Sequence, residues 1–140
     1  MKTINFCGDS FCQLEPNVNN RSLSWTTLLA DKLNASIIGW GKGGAAYEHT
    51  FKSYDNTADY TIFCWTDPNR LYVNSEYSIN IGDLNDFVYQ LGGLHDKLEK
   101  AAYAYYKYLH NISVAKQRFK RELYWFDHAI LNNYKGVTIH

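Results

Sequence analysis

The stretch Thr3-Ile4-Asn5-Phe6-Cys7-Gly8-Asp9-Ser10-Phe11 decides how the rest of the chain is read. Its first five residues make a short apolar run of β-forming character. Glycine then permits a sharp turn, and the acidic residue after it can orient a loop. A serine hydroxyl therefore stands where the first strand of an α/β sheet would end. In open parallel sheets, ligand chemistry gathers in the loops that follow the carboxyl ends of the strands. Ser10 is a candidate nucleophile on that ground, although Gly-Asp-Ser is also an ordinary turn sequence.

Working outward, the chain alternates between strand and helix signals. Residues 11 to 21 are polar and turn-rich, with Pro16 and three asparagines. Ser22 or Ser24 can cap a helix running to about Leu33, with Trp25, Leu28, Leu29 and Leu33 on its apolar face and Asn34 as its stop. Ala35–Gly39 reads as a second strand, followed by Gly41, Gly43 and Gly44 and a short helix from Ala45 to about Ser53. Tyr60–Trp65 reads as a third strand bounded by Asp67-Pro68-Asn69. Residues 71 to 82 read as an irregular loop or lid carrying Tyr72, Tyr77 and Ile79.

Helix dominates from Asp83 to about Tyr134. Leu94, Leu98, Ala101, Tyr105 and Leu109 form one apolar stripe, and Ala115, Phe119, Leu123, Phe126 and Ile130 form a second. Asn111 and Ser113 mark a break and a new cap between them. Val137–His140 reads as the fourth strand. The alternation predicts a single α/β domain over residues 1–140, with a short, mostly parallel sheet and a long helical segment before the last strand. Right-handed crossovers would place Ser10, the glycines at 41 to 44, the Thr66–Arg70 turn and His140 along one sheet edge.

Composition narrows the function classes. The 140 residues suit one domain with a sizeable core, and 46% hydrophobic against 20% charged residues is a globular balance. A formal net charge of zero gives no electrostatic footprint for nucleic acid or an anionic membrane. No apolar run approaches a bilayer span and the N-terminus carries no signal pattern, so a cytoplasmic protein is expected. Cys7, Cys12 and Cys64 make an odd number without a Cys-x-x-Cys pair, which argues against a zinc or iron–sulfur site. Cys7 and Cys64 fall in predicted buried strands as small hydrophobes, and reduced thiols suit a reducing compartment. Cys12 sits in the loop beside Ser10, but no basic residue flanks it to activate its thiol.

The chain holds 12 tyrosines, and Tyr103, Tyr105, Tyr106 and Tyr108 cluster on one helix. Their apolar spacing suits packing better than a carbohydrate platform, while tyrosine's polar tip admits a partner-contacting surface in a homo-oligomer or larger assembly. Lys107, Lys116, Arg118, Lys120 and Arg121 give the late helices a basic side, interrupted by Glu99, Glu122 and Asp127, that reads as a solvated face.

Gly39-Trp40-Gly41-Lys42-Gly43-Gly44 admits two readings. It matches Gly-x-Gly-x-x-Gly between a strand and a helix, where a dinucleotide would rest its pyrophosphate and Asp67 would be sought as the ribose acid. Against this, the pattern follows the second strand and Lys42 would crowd the phosphates. The same glycines could instead form an oxyanion-hole loop, in which backbone N–H groups of Ser10 and Gly44 and the Asn69 amide aim at a developing negative oxygen.

Gly8-Asp9-Ser10-Phe11 after the first strand resembles the first block of the SGNH, or GDSL, hydrolase family. The glycine loop after the second strand resembles its second block, and the Trp65-Thr66-Asp67-Pro68-Asn69-Arg70 turn falls where the family has Gly-x-Asn-Asp. A tryptophan in this turn with an arginine nearby is similar to SGNH-like proteins of tailed phages. The resemblance spans nearly the whole chain. It implies a three-layer, flavodoxin-like fold and a serine esterase or lipase using no metal or cofactor. Ser10 would be nucleophile and first oxyanion donor, Gly44 the second donor and Asn69 a third. Matched without a gap, Asp67 takes the asparagine position, where a carboxylate would repel an oxyanion; Asn69 serves if the turn is two residues longer.

The family's Asp-x-x-His block has no counterpart in this sequence, and the fourth strand falls one strand short of the family's frame. Of the five histidines, His140 ends the last strand and is the best-placed candidate for the base that a serine nucleophile needs. His49 either faces the site or decorates its helix, His128 has Asp127 as a helical neighbour pointing elsewhere, and His95 and His110 border helices. Three functions follow as expectations: a serine hydrolase of a small ester or acylated saccharide, a catalytically incomplete structural or binding protein on the same fold, and a nucleotide-binding domain.

Overall fold

The computed structural model describes residues 1–73, 78–79 and 94–140. β1 (Lys2–Gly8), β2 (Ala35–Gly39), β3 (Tyr60–Cys64) and a last strand, Val137–Ile139, form a four-stranded sheet in which every pairing is parallel. Leu71–Tyr72 (β4) and Ser78–Ile79 (β5) form a separate antiparallel pair, and the last strand is therefore β6. The sheet order is β2-β1-β3-β6, so β1 lies inside and β6 at an edge. The fold is α/β, as the alternation predicted.

Period-two alternation assigns the two faces of β1. Ile4 and Phe6 are fully buried on one side, with Ile62 of β3, Leu29 and Ala30 of helix α1 (Trp25–Lys32) and Leu33 just after it. Cys7 points to the other side, beside Phe63, Phe126 and Phe51 of helix α2 (Tyr47–Lys52). Helices α3 (Leu94–Tyr108) and α4 (Ile112–Trp125) follow, and Asn111 caps the second by accepting from the N–H groups of Ser113 and Val114. α4 runs into a π-helical turn, Phe126–Ile130, which delivers Phe126 to the core. Helices thus cover both faces of the sheet.

The α1 stripe is rotated from the predicted one. Trp25 and Leu28 are half exposed, while Thr26 and Ala30 are buried. Trp25 is drawn sideways because its indole N–H donates to the Phe11 carbonyl at 2.7 Å and its ring meets Phe6 edge-on at 5.3 Å. The helix starts at Ser24, whose hydroxyl accepts from the Thr27 N–H, and ends before Asn34, the one non-glycine residue with positive φ among those described. The predicted irregular stretch after residue 70 contains the β4–β5 ladder, with Ile79 buried. Tyr77 and the expected helical residues 83 to 93 lie outside the described residues.

β6 is tied to β3 by more than its ladder. The Tyr134 hydroxyl donates to the Ala58 carbonyl at 2.6 Å and lies 3.0 Å from Thr61 Oγ1, and Val137 N–H donates to the Asp59 carbonyl. No helix among the described residues is long and apolar enough to cross a membrane. Replacing Phe63, which is 3% exposed, by alanine should lower unfolding stability by about 3–5 kcal/mol. Ser24→Ala, which removes the cap together with the hydroxyl's contacts to Arg21, Thr26 and Thr27, should lower it by about 1 kcal/mol. Urea denaturation of the three proteins checks both.

Candidate functional site

The site is built where β1 ends. Asp9 is 3% exposed, and its carboxylate does two things at once. Oδ1 accepts from the Phe11 N–H at 3.0 Å, capping a single 3-10 turn, Ser10–Cys12, while Oδ2 lies 3.4 Å from Arg70 Nη1. The same Arg70 Nη1 donates to the Ala45 carbonyl at 2.8 Å. One guanidinium therefore ties the loops after β1, β2 and β3 together. Ser10, carried on the capped turn, is exposed.

The glycine loop lies alongside this turn. Gly41 N–H donates to the Cys12 carbonyl and Lys42 N–H to the Gly8 carbonyl, each at 2.9 Å, and Gln13 pairs with Gly41 in the parallel sense. A Cβ on Gly41 would collide with Cys12 Sγ and the Asp9 carbonyl, and one on Gly43 with the Gln13 side chain. These two glycines are there to let the Ser10 turn approach. The space a side chain would use at these two glycines is filled by protein, and α2 is only six residues long with the Ala46 N–H bonded to Ser78 Oγ. Gly44 differs: its φ is +71 and a Cβ there would meet nothing. It stands exposed at the tip of the loop in a conformation that disfavours side chains.

The turn after β3 is folded on itself. Asp67 Oδ1 accepts from both the backbone N–H and the side-chain amide of Asn69, at 2.9 and 2.7 Å. The Asn69 carbonyl oxygen of the side chain faces His110 Nε2 at 3.2 Å, and the Tyr106 hydroxyl donates to the Asn69 backbone carbonyl. Asn69, the candidate third oxyanion donor, thus has one amide N–H directed to Asp67, and Asp67 is directed to Asn69. Arg70, which directly follows the Asn69–Asp67 lock, is what the turn presents to β1.

His140 is held away from Ser10. Its ring stacks on Phe63 and Trp65, its Nδ1 accepts from the Trp65 indole N–H at 3.3 Å, and its Nε2 lies 3.8 Å from Asp127 Oδ1. With Nδ1 accepting, the proton sits on Nε2 and faces Asp127. β3 separates β6 from β1, so the two strand ends are about 10 Å apart across the sheet. The other described histidine side chains have their own surroundings. His128 Nδ1 meets the Tyr124 carbonyl, His110 meets Asn69, and His49 sits half-buried on α2, where burial and then Lys42 and Lys52 hold its imidazole below the usual value. The His95 side chain lies outside the described residues.

The basic face resolves into pairs at Arg118, which contacts Glu122 at 2.7 Å and Glu48 at 3.4 Å. The tyrosine cluster divides: Tyr103 and Tyr108 are exposed, while Tyr106 is anchored through its hydroxyl to Asn69 and Ile79. The role of Arg70 and the Asp127–His140 pair were not legible as such, because the partners lie far apart in sequence. Among the described residues no group of three or more histidine, cysteine or acidic side chains could hold a metal ion. No family model, curated protein or solved structure matches this chain.

Removing the Arg70 side chain leaves Asp9 buried without its countercharge, and Arg70→Ala should cost about 3–5 kcal/mol of stability by chemical denaturation. The glycines should separate in the same assay. Gly44→Ala meets open space and should cost only about 1 kcal/mol for its positive φ, whereas Gly41→Ala displaces the Ser10 turn and should cost more.

Proposed function

We propose that this chain is an SGNH-like serine hydrolase domain acting on a small ester, with an O-acyl group on a saccharide as the candidate substrate. The observation that carries the reading is the exposed Ser10 on a turn clamped by the pair of buried Asp9 and half-buried Arg70 at the end of an interior parallel strand. In this reading Ser10 attacks the ester carbonyl. The N–H groups of Ser10 and Gly44 stabilise the oxyanion, since donors fixed before reaction need no reorganisation when charge develops. No metal or cofactor takes part, and the setting is the cytoplasm. The loop glycines serve packing in this account, which favours it over a nucleotide site.

A second reading, a binding or structural protein built on the same frame, is favoured by one observation. Both ring nitrogens of His140 are turned to Trp65 and Asp127, and to serve Ser10 as a base the ring would have to leave both and cross the width of β3. A fluorophosphonate probe decides between the two, because it reacts only with an activated serine. The hydrolase reading expects one adduct, at Ser10 by peptide mapping, and p-nitrophenyl acetate hydrolysis that falls to the uncatalysed rate in Ser10→Ala. An unlabelled Ser10, with equal rates for the two proteins, gives the second reading.

A further inference from the structure

Gly8 ends β1 without a side chain, and sulfur fills the space it leaves. A Cβ at that position would stand 2.9 Å from Cys12 Sγ and 2.7 Å from the Cβ of Cys64, so these two atoms are no more than 5.6 Å apart. The two cysteines approach each other across the glycine, one from the Ser10 turn and one from the end of β3. They are not equivalent. Cys12 is fully buried, with its Sγ 3.7 Å from the Asp9 carbonyl, while Cys64 is only partly buried.

The neighbouring Cys12 draws the Cys64 thiol below the usual value, while Cys64 and burial together push Cys12 up. A partly buried cysteine with a lowered proton affinity and a neighbouring thiol has the features of a reactive cysteine with a resolving partner. Cys7 has neither feature. It is fully buried, its Sγ lies against the Ser53 carbonyl, and burial pushes it up to about 12.

We propose that Cys64 and Cys12 form a thiol pair that is oxidised by small disulfides, with Cys64 as the attacking sulfur and Cys12 as the resolving one. The Cys64 thiolate attacks one sulfur of a disulfide such as glutathione disulfide. An S–S bond forms to Cys64, and the first glutathione leaves as a thiolate that takes up the proton Cys64 gave up. Cys12 then loses its proton and attacks Cys64 Sγ, expelling the second glutathione, which carries that proton away. Two protein thiols are oxidised to one bridge and one glutathione disulfide is reduced to two thiols. The bridge closes across Gly8, beneath the turn that carries Ser10, and needs no chemistry at Ser10 itself.

The test is to expose the native protein to glutathione disulfide, block remaining thiols with N-ethylmaleimide, and map peptides without reduction. A peptide linked through Cys12 and Cys64, reversed by dithiothreitol, with Cys7 blocked only after unfolding, is the expected result. In Cys12→Ala the reaction should stop with glutathione held on Cys64, and Cys64→Ala should abolish uptake altogether. An unreactive native protein overturns the proposal, as does a lasting glutathione adduct on wild-type Cys64 or a bridge that includes Cys7.

Discussion

The carboxylate of Asp9 and the guanidinium of Arg70 meet 3.4 Å apart where three post-strand loops converge, and the geometry around Ser10 depends on that meeting. Asp9 is buried, and a buried carboxylate without a partner is strongly destabilising. Its second oxygen caps the serine's turn, so the orientation of the turn is inherited from the ion pair. Arg70 also holds the Ala45 carbonyl, which brings the start of α2 into the same arrangement. The exposed serine is a mobile-looking residue type in a place where its backbone has little freedom.

Around this pair, absence of side chains matters as much as presence. Gly41 and Gly43 leave room for Cys12, Asp9 and Gln13, and Gly8 leaves room for the Cys12 sulfur and the Cβ of Cys64. A glycine pattern that reads equally as a phosphate cradle is here a packing surface turned toward its own protein. Gly44 alone has the backbone conformation and open surroundings of a loop tip facing solvent.

The fold could be read from local signals because those signals are local in origin. The apolar run Thr3–Cys7, the cap at Ser22 or Ser24, and the stop at Asn34 each act over a few residues; the strand and the stop appear where the sequence puts them, and Ser24 is the cap used. The apolar stripe of α1 was misassigned at Trp25 and Leu28, because a long-range bond from the Trp25 indole to Phe11 outweighs helical periodicity. The site was legible only in part for the same reason. Ser10, Gly44 and Asn69 could be nominated from their positions after strands. That Arg70 would clamp Asp9, that Asn69 would lock to Asp67, and that His140 would pair with Asp127 depend on loops packing against loops. Cys64 read as a buried strand residue and Cys12 as the loop thiol, yet burial runs the other way, since the Ser10 turn folds Cys12 inward over Gly8.

The placement of β6 has a consequence for how the chain acquires this structure. It pairs with β3 across a large sequence separation, as the Thr61–Tyr134 contact over 73 positions shows. Contacts of that kind form slowly, because loop closure precedes any gain from pairing. Until β6 docks, β3 has a bare edge beside Phe63 and Trp65, the surface that His140 later covers. A half-folded chain therefore displays an unpaired strand next to aromatic surface, a combination prone to association with other unfolded chains. In the finished protein the His140 imidazole covers the aromatic surface of Phe63 and Trp65 beside that edge.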